Sequence, residues 1–254
     1  MGKRSRNKDR EQQEESVIEE IQDPYRRQKK VLSHNFQIKD VTPLTDNQVS
    51  AFHTNGNGRN LVLYGCAGTG KTFLASYFAL QDLKHGHAKK IIIVRSAVTT
   101  RDQGFLPGTL QEKMALYEAP YREVFAELCN GRRDVYDLLK KREYLEFMST
   151  SFIRGITFDD AIIIVDEVQN LTDHEINSVL TRVGKNTRVI LCGDTRQNDL
   201  KMTGKKNQET GMHNLLQIAR AMSSFSMIEF GVADIVRSGF VKEYIIARIN
   251  LGLD

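Results

Sequence analysis

The residues best suited to chemistry in this chain are the eight at positions 65–72, which read Gly-Cys-Ala-Gly-Thr-Gly-Lys-Thr. Their glycines allow a tight turn in which successive backbone N–H groups point inward at a phosphate. The lysine is placed to reach the β- and γ-phosphate oxygens, and the last threonine to ligate Mg²⁺. The pattern therefore predicts a nucleoside triphosphate site, rather than a glycine-rich turn that binds nothing. The residues predicted to hold the nucleotide are Gly65, Cys66, Ala67, Gly68, Thr69, Gly70, Lys71 and Thr72.

Two adjacent acids, Asp166 and Glu167, end the apolar run 162–165. Asp166 is predicted to hold Mg²⁺ through water, together with Thr72. Glu167 is the next residue and is predicted to orient and deprotonate an attacking water. This glutamate is typical of ATP hydrolases with a built-in base, and signalling GTPases lack it. The alternative is an acid pair that only caps the following helix.

Two glutamines are candidates for recognising the two ends of the nucleotide, the γ-phosphate and the base. Gln197 follows the apolar run 189–192 and is predicted to sense the γ-phosphate, the alternative being an ordinary polar turn. Gln48 lies upstream of the phosphate loop, in a helix that Thr45 is predicted to cap. A glutamine amide can pair with the Hoogsteen edge of adenine, which predicts ATP rather than GTP. A plain capped helix is the alternative at that position.

The phosphate loop itself contains no arginine, although phosphoryl transfer commonly uses one to stabilise charge in the transition state. Arg95 ends the apolar run 91–94, and Arg237 ends the stretch Asp-Ile-Val-Arg at 234–237. Either side chain is a candidate for this role. A surface salt bridge is the alternative for both.

Short apolar runs alternate with helical patterns, as expected of buried parallel strands joined by helices. This alternation predicts an α/β fold, a three-layer α/β/α sandwich around a mostly parallel sheet. Ligands bind at the carboxyl ends of such strands, where each motif above falls. A charged helical insertion is predicted at about 103–142. The predicted strands are 61–64, 91–94, 144–148, 161–165, 189–192 and 227–230, and the predicted helices are 73–84, 173–183 and 212–222.

Composition limits the class of protein. The chain has 254 residues, of which 40% are hydrophobic, a net charge of +4 and three widely spaced cysteines. No apolar run reaches the length of a membrane span, and the basic N-terminus lacks the apolar stretch of a secretory signal. The cysteine count favours a reducing cytoplasm over a disulfide framework. Residues 1–35 are predicted to be a charged, disordered tail, and 36–254 a single domain.

Several stretches in the same order resemble the PhoH family, the phosphate-starvation-inducible ATPases related to superfamily 1 helicases, which are also common in bacteriophages. The resemblance covers about residues 42–250. Its most specific part is a Gly-Phe-Leu-Pro-Gly stretch at 104–108 followed by Asp-Glu-Val-Gln-Asn at 166–170. The other stretches are 43–48, 65–72, 94–98, 110–113, 152–155, 193–200 and 234–237.

The resemblance implies a RecA-like ATPase that uses ATP and Mg²⁺, with single-stranded RNA binding or unwinding as its work and a hexameric ring as its assembly. Superfamily 1 helicases place ATP between two such cores, whereas this chain has room for one. A neighbouring subunit would then complete the site and supply Arg237 in trans. The chain departs from the family at 201–206 and at 238–239.

Three functions are compatible with these motifs. The first is an ATPase coupled to single-stranded nucleic acid, with RNA favoured over DNA, and the second is a nucleotide-gated module that recruits a partner such as a ribonuclease. A small-molecule kinase is less favoured, because Glu167 suits water as the nucleophile. The candidate phosphate contacts for nucleic acid, for which a solvated surface is the alternative, are Arg101, Lys113, Lys201, Lys205 and Lys206.

Overall fold

The computed structural model describes residues 37–96, 110–153, 155–195 and 211–252. The charged N-terminal stretch and Gln197 lie outside the described residues, as do Arg101 and the three lysines at 201, 205 and 206. Lys113 lies in a helix, but its side chain is not among those described.

Six parallel strands form one sheet in the order β3-β2-β4-β5-β1-β6. All six strands predicted from the apolar runs are confirmed, with their ends shifted by at most two residues. The strand β5 lies between the phosphate-loop strand β1 and the acid-bearing strand β4. The strands are β1 Asn60–Gly65, β2 Lys90–Arg95, β3 Leu145–Ser149, β4 Ala161–Val165, β5 Arg188–Gly193 and β6 Phe225–Phe230.

Helices cover both faces of the sheet, which confirms the three-layer α/β/α sandwich. Side chains alternate between the faces along β1: Leu61 and Leu63 pack with α1 to α4, and Val62 packs with α5 and α6. Among the described residues, no helix is both long and apolar enough to cross a membrane. The helices are α1 Asp46–Gly56, α2 Lys71–His85, α3 Leu110–Leu128, α4 Val135–Lys141, α5 Asp173–Leu180, α6 Gly211–Ala221 and α7 Gly239–Asn250.

The helix starts that position the site have identifiable caps. The Thr45 hydroxyl accepts from the Gln48 N–H at the start of α1, as predicted. Thr172 and Glu175 form a reciprocal capping box at the start of α5. This helix ends at Leu180, so the prediction that it continues to 183 was wrong. The helix ends early because of a tertiary contact: Val183 forms an isolated β-bridge with Phe158, which takes it out of the helical conformation.

In the described part of the chain between β2 and β3, helices α3 and α4 pack on the same face of the sheet as α2. Tyr121, Phe125 and Tyr136 are buried and Tyr117 is partly buried, and Phe125 meets Tyr136 edge-on with ring centroids 5.3 Å apart. Pro120 lies inside α3 and has no N–H to donate to the preceding turn. Tyr121 follows it, and its ring packs at 5.7 Å from that of Phe147 in β3.

Gly65 is the glycine on which the start of the phosphate loop depends. It has a φ of +114°, and a Cβ atom there would overlap the Phe230 carbonyl oxygen of β6. We expect Gly65→Ala to lower the free energy of unfolding by about 2–5 kcal/mol, from left-handed strain and overpacking together.

The matched control is Gly58→Ala. Gly58 also has a positive φ, +69°, but has open space where its Cβ would be. Gly58→Ala should lower the free energy of unfolding by only about 1–2 kcal/mol. Denaturant titration of both variants measures the two losses. Equal losses in the two variants would contradict the close packing of β1 against β6.

Candidate active site

A cavity of about 760 Å³ opens at the carboxyl ends of β1, β4 and β5. Its size is within the range of small-molecule and cofactor sites. The phosphate loop forms its floor, and Val124 and Glu127 of α3 form part of one wall. Both predicted acids, together with Gln48, Lys71 and Arg237, line the same cavity. The structure therefore brings these five residues together around one cavity with the rest of residues 67–72, whereas Gly65, Cys66 and Arg95 do not line it.

The phosphate loop has the backbone conformation that its glycines predicted. Gly68 and Gly70 have φ values of +72° and +85°, and Gly70 is the N-cap of α2. Within the loop, the Thr69 hydroxyl donates to the Cys66 carbonyl at 3.0 Å. The N-terminal end of α2 thus faces the cavity, where its dipole and the N–H groups of its first turn, which have no partner within the helix, favour an anion.

Lys71 folds back over its own loop. Its Nζ donates to the carbonyl oxygens of Gly65 and Cys66, at 3.1 and 2.6 Å. These bonds keep the ammonium group beside the loop. A triphosphate bound in the cavity would offer it charged oxygens, which are stronger acceptors than backbone carbonyls.

Thr72 and Asp166, the two predicted metal ligands, lie in direct contact. The Thr72 hydroxyl is 3.0 and 3.2 Å from the two carboxylate oxygens of Asp166. Asp166 is only 5% exposed, at the end of β4. The two residues that were predicted separately from two motifs therefore form one polar pair beside the phosphate loop.

A third residue, Tyr121, completes the surroundings of Asp166, and sequence reasoning did not find it. The Tyr121 hydroxyl donates to Asp166 Oδ2 at 2.7 Å. Burial and the neighbouring Asp166 charge raise the pKa of Tyr121 well above its usual value. The hydroxyl is therefore a permanent donor to this carboxylate.

Glu167 lies just beyond β4 with a left-handed backbone φ of +54°. Its carboxylate accepts from the Gln169 side chain and lies 3.9 Å from Arg95 Nη2. Burial and the Asp166 charge raise the pKa of Glu167, and Arg95 partly offsets this. A carboxylate with a raised pKa is a better proton acceptor, as a general base requires.

Gln169 connects the base to the neighbouring strand. Its Nε2 donates to Glu167, and its Oε1 accepts from the Asp194 N–H at 2.8 Å. Asp194 directly follows β5 and leads toward Gln197, which lies outside the described residues. The buried amide thus couples the position of Glu167 to the end of β5. The Asp-Glu-x-Gln pattern was noted in the sequence, but its fourth residue was not given this role.

Gln48 is buried and engages the backbone with both ends of its amide. Its Oε1 accepts from the Leu44 N–H at 2.8 Å, and its Nε2 donates to the Thr69 carbonyl at 3.2 Å. The amide therefore connects the start of α1 to the phosphate loop. Adenine recognition by Gln48 remains a prediction, and it would require exchange of at least one of these two bonds.

Arg237 lies beside the phosphate loop of its own chain. A Cβ atom on Gly68 would be 3.0 Å from Arg237 Cγ, and the Val236 N–H donates to the Gly68 carbonyl at 3.1 Å. Asp234 fixes this segment to α1 by accepting from Asn47 Nδ2 at 2.8 Å. Burial alone would raise the pKa of Asp234, but hydrogen bonds from Thr45, Asn47 and the Gly231 N–H lower it.

Comparison with known protein families agrees with this geometry. The family model described as PhoH-like protein matches residues 37–248. The chain belongs to the PhoH-like family. Family membership, the phosphate loop, the acids of β4 and the parallel sheet together support a P-loop NTPase fold.

Curated PhoH-like proteins are similar over most of this chain. The PhoH-like protein of Bacillus subtilis (strain 168) is 37% identical over 190 residues, which are 74% of this chain and 58% of that protein. Protein PhoH of Escherichia coli (strain K12) is 32% identical over 179 residues, 70% of this chain and 49% of that protein. This chain therefore spans between about half and three fifths of the length of these two relatives.

Solved structures resemble the fold more distantly. The large terminase of a thermophilic bacteriophage has a TM-score of 0.47 and 12% identity, covering 80% of this chain and 50% of the terminase. The Sulfolobus solfataricus SWI2/SNF2 ATPase core in complex with dsDNA has a TM-score of 0.42 and 14% identity, covering 78% and 46%.

The side chains at the PhoH-like site fit a magnesium ion that arrives with the nucleotide. Among residues 37–96, 110–153, 155–195 and 211–252, no group of three or more His, Cys, Asp or Glu could hold a metal on its own. Mg²⁺ is commonly held by one or two protein oxygens, water and substrate phosphates. The hydroxyl of Thr72 and the carboxylate of Asp166 offer oxygens of this kind.

Proposed function

We propose that this chain is a Mg²⁺-dependent ATP hydrolase whose turnover is coupled to single-stranded nucleic acid, with RNA favoured. The observation that carries the hydrolase proposal is the pairing of Thr72 with Asp166 in a cavity that also contains Lys71 and Glu167. One site thus contains a phosphate-binding loop, two side-chain oxygens that suit a metal ion, and a candidate general base.

Each residue has a proposed task in hydrolysis. The loop N–H groups and Lys71 would bind the β- and γ-phosphates, and Thr72 and Asp166 would hold a magnesium ion, which would neutralise charge on the phosphates. Glu167 accepts a proton from the attacking water, while Gln169 and Arg95 fix its carboxylate. Arg237 stabilises the charge that develops on the transferred phosphoryl group. Gln197 remains the proposed γ-phosphate sensor, and Gln48 the proposed reader of adenine.

The nucleic-acid part of the proposal rests on the resemblance to helicase-related ATPases and on the net charge of +4. When lysine and arginine side chains contact the phosphates of a nucleic acid, the binding affinity falls steeply as the salt concentration rises. The candidate contacts named from the sequence stay predictions. We also propose a reducing compartment such as the cytoplasm, because the three cysteines are buried and none of them forms a disulfide.

A homo-oligomer, with a hexameric ring favoured, remains part of the proposal. The last helix, α7, has no buried residue, and its Phe240 and Tyr244 side chains are 79% and 56% exposed. Large apolar side chains grouped on one element are typical of surfaces that another molecule covers. A neighbouring copy is one such molecule, and it would meet the chain close to the phosphate loop, against which Ile245 lies.

The second candidate function is a nucleotide-gated module that recruits a protein partner such as a ribonuclease. The contacts of Gln169 favour keeping this candidate, because they link Glu167 at the cavity to Asp194, which directly follows β5. Such a link can report nucleotide state to a surface without fast hydrolysis.

The test of the coupled function is steady-state ATP hydrolysis with and without single-stranded RNA, repeated with single-stranded DNA and at rising salt. The proposal predicts stimulation by RNA that fades as salt increases. Hydrolysis that is indifferent to both nucleic acids would overturn the coupling and favour the gated module. The same assay in the presence of candidate protein partners would then follow.

A further inference from the structure

We propose that Tyr121 is a positioning residue for the metal-binding carboxylate of Asp166, and that it couples helix α3 to metal binding. The inference rests on the proposed function, since it assigns Asp166 to a magnesium ion that arrives with ATP. Its basis is a direct contact between two buried groups, at 2.7 Å from the Tyr121 hydroxyl to Asp166 Oδ2.

The carboxylate of Asp166 needs a second donor, and Tyr121 supplies it. The Thr72 hydroxyl lies within hydrogen-bond distance of both carboxylate oxygens but has one proton to give. Asp166 is 5% exposed and Tyr121 is 1% exposed, so bulk water does not readily take the place of the tyrosine hydroxyl. The two donors together set the rotation of the carboxylate plane.

Tyrosine suits this position because it donates a hydrogen bond without adding a charge. A lysine or arginine at the same place would compete with a metal for the carboxylate, whereas the phenol leaves its negative charge in place. Groups that hydrogen-bond to metal-binding carboxylates fix their orientation, and loss of such a group commonly weakens metal affinity by about 10- to 100-fold.

The donor comes from α3, which is also a wall of the nucleotide cavity. Val124 and Glu127, on the turns after Tyr121, line the cavity opposite the phosphate loop. Glu127 forms an ion pair with Lys39 at 2.9 Å, which ties this end of α3 to the segment before α1. Metal on Asp166 therefore favours the position of α3 in which Tyr121 keeps its bond. A ligand or partner that displaces α3 will therefore weaken metal binding. By linkage, the metal will weaken the binding of that ligand or partner by the same factor.

The test compares Tyr121→Phe with Tyr117→Phe. Tyr117 lies one turn earlier on α3, and its buried hydroxyl has no hydrogen-bond partner among the described residues. Phenylalanine at 117 also keeps the ring that lies against Arg95. Each variant therefore removes one buried hydroxyl from the same helix, and only the first removes a donor to Asp166.

The measurement is the binding of a fluorescent ATP analogue, first in EDTA and then as Mg²⁺ is titrated in. Tyr121→Phe should keep the metal-free affinity and raise the half-saturating Mg²⁺ concentration by about 10- to 100-fold. Tyr117→Phe should match the wild type in both. A wild-type Mg²⁺ dependence in Tyr121→Phe, or equal weakening with and without metal, would overturn the inference. A wild-type chain that binds no nucleotide under either condition would overturn the proposed function itself.

Hydrogen exchange provides a second measurement that needs no variant to fold. In the wild type, backbone amides of α3 around Tyr121 should exchange more slowly with ATP and Mg²⁺ than with ATP and EDTA, because metal favours the bonded position of the helix. Identical exchange in the two conditions would overturn the coupling to α3.

Discussion

Glu167→Gln should leave ATP bound and reduce its hydrolysis by about 10²–10⁴-fold, the usual contribution of a general base. The amide has nearly the shape of the carboxylate but cannot accept the proton of the attacking water. The substitution does not alter the contact between Asp166 and Thr72 or the hydrogen bonds of Lys71, so nucleotide affinity should be retained. Single-turnover hydrolysis and equilibrium nucleotide binding, measured on the same preparation, check both parts.

Glu229→Gln is the matched control. Glu229 is an exposed glutamate on β6, beside the phosphate-loop strand, where it accepts from the Tyr64 hydroxyl at 3.2 Å. Glu229→Gln makes the same chemical change outside the cavity, and this variant should hydrolyse ATP like the wild type. Normal turnover in Glu167→Gln would remove Glu167 as the base.

Arg237→Ala should bind ATP normally and hydrolyse it about 10³–10⁵-fold more slowly, the effect associated with an arginine that stabilises phosphoryl transfer. The side chain lines the cavity and lies against Gly68 of the same chain. Arg248→Ala is the control, because Arg248 lies on α7 beside Tyr244 and does not line the cavity. Unchanged turnover in Arg237→Ala would move the role to another arginine, of which Arg95 is the first candidate.

The same variant tells whether the arginine acts within its own subunit. The sequence suggested delivery in trans, whereas the contact with Gly68 supports action in cis. Mixing Arg237→Ala with Lys71→Ala subunits distinguishes the two. An arginine acting in trans would restore activity at mixed interfaces, where an intact loop meets an intact Arg237. Action in cis predicts no recovery at any mixing ratio.

The parts of the fold that sequence could predict are those set by local pattern. Each buried strand is a short apolar run, and the phosphate loop and the acids of β4 are defined by residue type and spacing. The contact between Thr72 and Asp166 follows from these, because β1 and β4 end at the same edge of one parallel sheet.

The parts that sequence could not predict depend on packing between distant segments. Tyr121 reaches Asp166 only because α3 packs on the sheet beside the cavity, and nothing in its spacing distinguishes it from Tyr117, the other tyrosine of that helix. The cis position of Arg237 depends on how Asp234 fixes the segment after β6 to α1. The early end of α5 at Leu180 has a similar cause, in the bridge between Phe158 and Val183.

The most direct test of the central claim is phosphate release from ATP by the purified chain, with Mg²⁺ and with EDTA, beside Lys71→Ala. Lys71 is the cation of the phosphate loop, and its ammonium group lies on the loop carbonyls at 3.1 and 2.6 Å. The account predicts Mg²⁺-dependent release that is lost in EDTA and in Lys71→Ala. Release that is equal in the wild type and in Lys71→Ala, or no release from the wild type with Mg²⁺ and RNA, would contradict it.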